Sequence, residues 1–167
     1  MLDEKNFGGY AISIEMYKWI LKNLPKGKTI LELGSGKGTV ELSEFYKVYS
    51  IEHDKRWLGF SKKSNYIYAP IVKYKRYKWY DIGRIKRLIP KNYDLLLVDG
   101  PNGYIGREGF VDNIGLFKTD IPIIIDDIQR EKYVGMRDFL AKKFNKKVIT
   151  IEGTGISHSR KKFSVLL

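Results

Sequence analysis

The chain predicts a single α/β domain, a three-layer sandwich in which a mostly parallel seven-stranded sheet carries helices on both faces and its last strand runs antiparallel. Three observations lead there. β-rich runs alternate with helix-length segments along most of the chain, and that alternation calls for right-handed crossovers and parallel pairing. Runs such as Leu95-Leu96-Leu97-Val98 and Ile123-Ile124-Ile125 are apolar without alternation, as strands covered on both faces must be. Finally, residues 152–162 are too few for a comfortable helical crossover, so the final strand returns antiparallel, as in a hairpin.

Each element follows in order. Ser13 is placed to cap a first helix in which Tyr17, Ile20, Leu21 and Leu24 recur at i, i+3, i+4 and i+7, and Pro25-Lys26-Gly27 ends it. Strands are expected at 29–33, 48–52, 67–74, 94–98, 121–126, 147–151 and 163–167. Between them, helices are expected at 40–46, 55–63, 82–89, 107–118 and 130–144, where Tyr133, Met136, Leu140 and Phe144 keep helical spacing. No repeat or low-complexity linker interrupts the pattern.

Composition narrows the chemistry. With 167 residues, 43% of them hydrophobic, the chain builds one substantial core, read as one domain spanning 1–167. It contains no apolar run of about 18 residues and no signal-peptide pattern in Met1-Leu2-Asp3-Glu4-Lys5, so a soluble, cytoplasmic protein without a membrane partner is expected. The absence of cysteine excludes disulfides, thiolate metal sites and cysteine nucleophiles, and two histidines, His53 and His158, argue against a His-rich metal centre. A single glutamine among many Lys, Glu, Ile and Tyr leans towards heat-adapted composition, a bias that AT-rich coding produces equally.

The net charge of +12 is concentrated. Residues 62–91 hold ten Lys or Arg against one acid, Asp81, and interleave them with Tyr74, Tyr77, Trp79 and Tyr80. Such a mixture attracts phosphates and stacks bases, so a nucleic-acid partner is one expectation; a solvated strand edge and helix face is the other.

The first strand runs into Glu32-Leu33-Gly34-Ser35-Gly36-Lys37-Gly38-Thr39, a strand-to-helix turn whose bare backbone lets a ligand approach. A phosphate-binding P-loop is excluded, because its first glycine would fall on Leu31 and its Ser or Thr on Gly38. The dinucleotide fingerprint needs Gly or Ala at position 39, where Thr39 stands. At the end of the second strand, Glu52 in Ser50-Ile51-Glu52-His53-Asp54 places a carboxylate where both hydroxyls of a ribose could donate to it. The G-x-G-x-G turn preceded by Glu32 resembles the first motif of class I S-adenosylmethionine-dependent methyltransferases.

That resemblance implies S-adenosylmethionine as cofactor, with Glu52 as the ribose ligand beside His53, Glu32 helping to hold the methionine end, and Gly34, Ser35, Gly36 and Gly38 shaping the turn. Tyr80-Asp81-Ile82 falls where many such enzymes carry an acid that meets the adenine amino group, although Asp81 could equally cap the helix starting at Ile82. Two further aspartate sites close the fourth and fifth strands: Asp99 in Val98-Asp99-Gly100-Pro101-Asn102-Gly103, and the pair Asp126-Asp127. In an open α/β sheet these strand ends face the ligand.

Asp99 is therefore a candidate cofactor contact and, with Asp127, a candidate catalytic group that removes the acceptor's proton or orients the acceptor. The arrangement also resembles cation-dependent O-methyltransferases, which implies a hard divalent metal on Asp99, Asp126 and Asp127. Three acids without further ligands make an incomplete set, so no metal is expected, and capping of the 130–144 helix is the expected role of Asp127. Segments around Ile51-Glu52-His53-Asp54-Lys55-Arg56-Trp57, Asp99-Gly100-Pro101-Asn102-Gly103-Tyr104 with Gly106-Arg107, and Asp127-Ile128-Gln129-Arg130-Glu131-Lys132-Tyr133 are similar to glucuronoxylan 4-O-methyltransferases. Those enzymes usually carry His-Asp where this chain has Ile125-Asp126-Asp127.

The expected function is methyl transfer from S-adenosylmethionine to oxygen of a small molecule or glycan. An RNA or other polyanion acceptor is the alternative, and a cofactor-binding protein without catalysis is the third reading. Acceptor choice is expected to rest on loops 1–13, 101–110 and 153–162, with Phe7-Gly8-Gly9-Tyr10-Ala11-Ile12 as a lid or a loose terminus and His158 in a solvated hairpin loop. Oligomeric state is not legible.

Overall fold

The computed structural model describes residues 12–154 and 160–167. The strands are β1 (Thr29–Leu33), β2 (Lys47–Glu52), β3 (Asn65–Tyr68), β4 (Ile71–Lys73), β5 (Lys78–Tyr80), β6 (Leu95–Val98), β7 (Ile123–Ile125), β8 (Val148–Thr154) and β9 (Arg160–Leu166). The α-helices are α1 (Ile14–Asn23), α2 (Lys37–Leu42), α3 (Ile82–Leu88), α4 (Glu108–Asp112) and α5 (Glu131–Lys143). Seven strands form the main sheet in the order β3-β2-β1-β6-β7-β9-β8, and β4 and β5 form a separate antiparallel hairpin. Pairing is parallel from β3 to β7, while β9 runs antiparallel to both β7 and β8, as the short 152–162 return requires.

Alternate residues of each central strand feed two separate cores. Leu31, Leu33, Leu96, Val98, Ile123 and Ile125 pack with Trp79, Ile85, Phe110, Tyr133 and Leu140 under the hairpin, α3, α4 and α5. Ile30, Leu95, Leu97 and Ile124 point the other way, onto Met16, Ile20 and Leu42 of α1 and α2. This is why these strands read as unbroken apolar runs.

Three local expectations are corrected. The 67–74 strand is two strands, because Pro70 has no N–H to continue the ladder; β3 stops at Tyr68, and Pro70 instead accepts from the Asp81 amide at 2.9 Å. The 55–63 helix is a single 3-10 turn over Lys55–Trp57, followed by Gly59 at φ +75°. The 107–118 helix is α4 followed by a 3-10 turn at Ile114–Leu116. Ser13 caps α1 as expected, its Oγ accepting from the Met16 amide at 3.2 Å. The 7–11 part of the proposed lid and His158 lie outside the described residues. No helix among the described residues is long and apolar enough to cross a membrane.

Candidate functional site

Strand order reverses between β1 and β6, since the chain moves outward to β2 and β3 from one and to β7 from the other. Ligands bind at such a switch point, beyond the strands' carboxyl ends. Here the two chain segments nearly touch: a Cβ on Gly34 would lie 3.0 Å from the Gly100 nitrogen, and one on Gly100 would lie 2.7 Å from the Gly34 Cα. Gly34 also turns at φ +87°, a left-handed conformation that side chains disfavour. Two glycines are required by this approach of backbone to backbone.

The turn is braced from beneath. Thr39, the residue that breaks the dinucleotide fingerprint, accepts from the Gly36 amide at 3.0 Å and donates to Glu32 Oε1 at 2.6 Å. Ser50 donates to the same oxygen at 2.5 Å. Glu32 is buried, and burial pushes its carboxyl up to about 8 despite the two hydroxyl donors, so it holds a proton at neutral pH. Glu32, Gly36 and Gly38 lie behind the cavity wall rather than on it; Gly38 packs on Ile12, where a Cβ would meet the side chain at 2.8 Å.

Glu52 crosses from the end of β2 to the turn. Its Oε2 accepts from the Ser35 amide at 2.9 Å and hydroxyl at 2.8 Å, and its Oε1 from the amides of His53 at 2.7 Å and Asp54 at 2.8 Å. His53 Nδ1 stands 3.0 Å away. Burial alone would raise this carboxyl, but the His53, Asp54 and Ser35 donors outweigh it and hold the group below its ordinary value. Glu52 is thus an ionised carboxylate fixed against the glycine turn.

Gly34, Ser35, Glu52, His53, Tyr80 and Asp99 share one cavity of about 990 Å³ with Trp57, Phe60, Tyr104, Arg107, Asp127 and Arg130. Tyr80 lies edge-on to His53, with ring centroids 5.8 Å apart. Asp81, next to it, is not part of the wall; its Oδ1 caps α3 by accepting from the Arg84 amide at 3.0 Å.

The acidic end is organised by a residue for which the sequence suggested no role beyond the Gly106-Arg107 similarity. Arg107, 1% exposed, donates through Nη1 to the carbonyls of Asp126 at 2.8 Å and Val98 at 3.3 Å, and through Nη2 to the Asp99 carbonyl. The same Nη2 lies 3.2 Å from Asp127 Oδ2 and 3.5 Å from Asp99 Oδ1. Asp127 does not cap α5, whose N-cap is Arg130; at φ 61° it turns its side chain to Arg107 and Gln129.

Asp126 is buried, its carboxyl oxygens have no hydrogen-bond partner among the described residues, and Lys161 Nζ is 4.0 Å away. Burial, then repulsion from Asp99, lifts its carboxyl to about 8. The three aspartates do not converge, and no group of three or more potential metal ligands exists among the described residues. The divalent-metal arrangement does not fit this site.

Solved structures share this architecture. A methyltransferase from Pyrococcus furiosus superimposes with a TM-score of 0.61 at 15% identity, over 92% of this chain and 81% of its own. The O-methyltransferase TomG from Streptomyces achromogenes, solved with S-adenosylmethionine, gives 0.59 at 16% identity over 95% and 81%. A putative RNA methyltransferase from Pyrococcus horikoshii gives 0.52 at 12% over 90% and 76%. This is the class I methyltransferase fold. No protein-family model and no curated protein sequence matches the chain. Within the class I fold, the Gly34–Gly38 turn and the Glu52 carboxylate meet at the switch point, and Asp99 and Asp127 stand across the same cavity.

Proposed function

We propose that this chain transfers a methyl group from S-adenosylmethionine to a hydroxyl oxygen of a small molecule or glycan. One observation carries the reading: an ionised carboxylate, Glu52, is locked against a bare glycine turn inside a cavity that also exposes Asp99 and Asp127. Ribose hydroxyls are donors this carboxylate would take in place of the Ser35 hydroxyl and the neighbouring His53 ring, because Ser35, His53 and Asp54 fill its four acceptor positions here. When bound, S-adenosylmethionine supplies a methyl on a sulfonium that leaves as a neutral thioether. The chain's residues then have two tasks. The turn and Glu52 fix the donor, while Asp99 or Asp127 accepts the proton that the acceptor hydroxyl loses as its oxygen–methyl bond forms.

A polyanionic acceptor, such as RNA, is a second reading that a separate surface favours. Lys73, Lys75 and Lys78 of the hairpin, and Lys86, Arg87 and Lys91 on and beyond α3, are exposed and have no carboxylate partner among the described residues. Their neighbouring aromatics do not add base stacking: Trp79 and Tyr80 are buried, and Tyr74 packs on Tyr77 with centroids 5.3 Å apart. This surface would read phosphate charge rather than bases. The non-catalytic reading differs in one outcome, since it leaves turnover unchanged in Asp99→Ala.

Calorimetry with S-adenosylhomocysteine and NAD tests the cofactor assignment. Wild type is expected to bind the first and not the second, and Glu52→Ala to lose roughly tenfold or more in affinity. Equal affinity in Glu52→Ala overturns the site.

A further inference from the structure

We propose that Arg107 is the resident cation of the acid-lined end of the cleft, holding the Asp99 and Asp127 carboxylates where a divalent metal would otherwise be needed. Its place in a reaction rests on the methyl-transfer reading, but its geometry does not. The guanidinium reaches the ends of two strands at once, bonding the carbonyls of Val98 at the end of β6, of Asp99 just after it and of Asp126 after β7. The same Nη2 that bonds the Asp99 carbonyl also lies 3.2 Å from Asp127 Oδ2 and 3.5 Å from Asp99 Oδ1, while the buried Nε has no hydrogen-bond partner among the described residues. The Tyr133 ring backs it, 4.4 Å from the guanidinium carbon.

The two terminal nitrogens of a planar guanidinium suit this set of acceptors, which are spread over two strand ends rather than gathered around a point. Magnesium or manganese needs near-octahedral oxygens about one centre. Asp126, the third acid, is turned towards Lys161, so the cluster presents two carboxylates to one fixed cation. Arginine keeps its charge at every working pH, and it does not exchange with solvent as a bound ion does. The acids are therefore positioned by the fold itself, with no dependence on metal supply.

Removing the guanidinium should create the affinity it replaces. MnCl2 is titrated calorimetrically into the full chain as wild type, Asp99→Asn, Arg107→Lys, Arg107→Met, Arg107→Gln and Arg107→Met/Asp99→Asn, with folding checked by thermal denaturation. Wild type and Arg107→Lys are expected to show no saturable binding below about 1 mM, and Arg107→Met and Arg107→Gln to gain at least about tenfold. Adding Asp99→Asn should remove the gain. Saturable manganese binding by wild type that Asp99→Asn abolishes overturns the proposal, as does a folded Arg107→Met or Arg107→Gln with no gain. Arg107→Gln keeps amide donors for the strand-end carbonyls and decides the question should Arg107→Met not fold, and the wild-type titration can refute the proposal without either variant. S-adenosylhomocysteine is titrated separately; its failure to bind wild type removes the methyl-transfer reading and leaves the manganese comparison standing.

Discussion

Consider Glu32→Gln, which keeps the shape of the brace beneath the glycine turn and removes its titration. In the fold this carboxyl is buried and protonates at about 8, against an ordinary value of 4.5. The native state therefore binds a proton that the unfolded chain has released, and stability must fall as pH rises from about 4.5 through about 8. Between pH 5 and pH 8 this one group costs wild type about 3 to 4 kcal/mol, at about 1.36 kcal/mol per pH unit across most of that window. The glutamine carbonyl can still accept from Thr39 and Ser50, so the variant lacks the slope while keeping the bonds. For a domain of this size the difference amounts to roughly 10 °C in melting temperature. Urea or thermal denaturation of both proteins at pH 5, 6, 7 and 8 measures it, and the titration of Asp126, common to both, cancels. Parallel stability curves for wild type and Glu32→Gln would refute the buried, protonated carboxyl and with it the account of how the turn is braced.

Other perturbations probe the wall itself. Gly100→Ala forces a Cβ to within 2.7 Å of the Gly34 Cα and 2.5 Å of the Tyr80 hydroxyl, so it should destabilise by roughly 2 to 3 kcal/mol and abolish S-adenosylhomocysteine binding; an unperturbed, binding-competent variant contradicts the close approach. Glu52, held below its ordinary value, adds stability that is present above about 4.5 and lost as pH falls through the lower native value. Glu52→Gln should therefore weaken the fold by about 2 kcal/mol at pH 7 and progressively less in acid, read by denaturation. On the cationic face, Lys73→Glu/Lys75→Glu/Lys78→Glu should flatten the salt dependence of RNA binding by about 0.7 to 0.9 for each phosphate that is no longer neutralised; an unchanged slope places RNA elsewhere or nowhere.

The layers were legible because both cores are filled by adjacent residues of the same strands, whereas the order of the strands across the sheet was not read from the sequence. A run such as Leu95-Leu96-Leu97-Val98 states its double burial in four letters. The antiparallel end followed from chain length alone, since a short loop cannot carry a helical crossover. What failed was local and had local causes. Pro70 breaks an otherwise β-rich run, and Gly59 stops a helix-like segment after one 3-10 turn. Both breakers stand in the sequence, and propensity summed over a window hides a single missing N–H or one positive φ.

The site divides along the same line. Glu52 meets Ser35 because β1 and β2 are neighbours in parallel register, so two strand ends brought together by the fold class also bring their loops together. A reading that places the strands places this contact. Asp81 lies one residue from a wall position, yet its side chain belongs to the start of α3, because capping an exposed amide satisfies it locally. Arg107 stands in the Gly106-Arg107 segment that is similar to glucuronoxylan 4-O-methyltransferases, but that similarity assigned it no role. Its partners are three carbonyls, two carboxylates and one aromatic ring, which no periodicity expresses, and in sequence it is one arginine among thirty-one basic residues. Two of the three aspartates that suggested a metal from their positions hold their carboxylates against a side chain whose aim those positions could not reveal. A fold fixes which strand ends are close, whereas the identity of the cation between them depends on where one long, buried side chain is aimed.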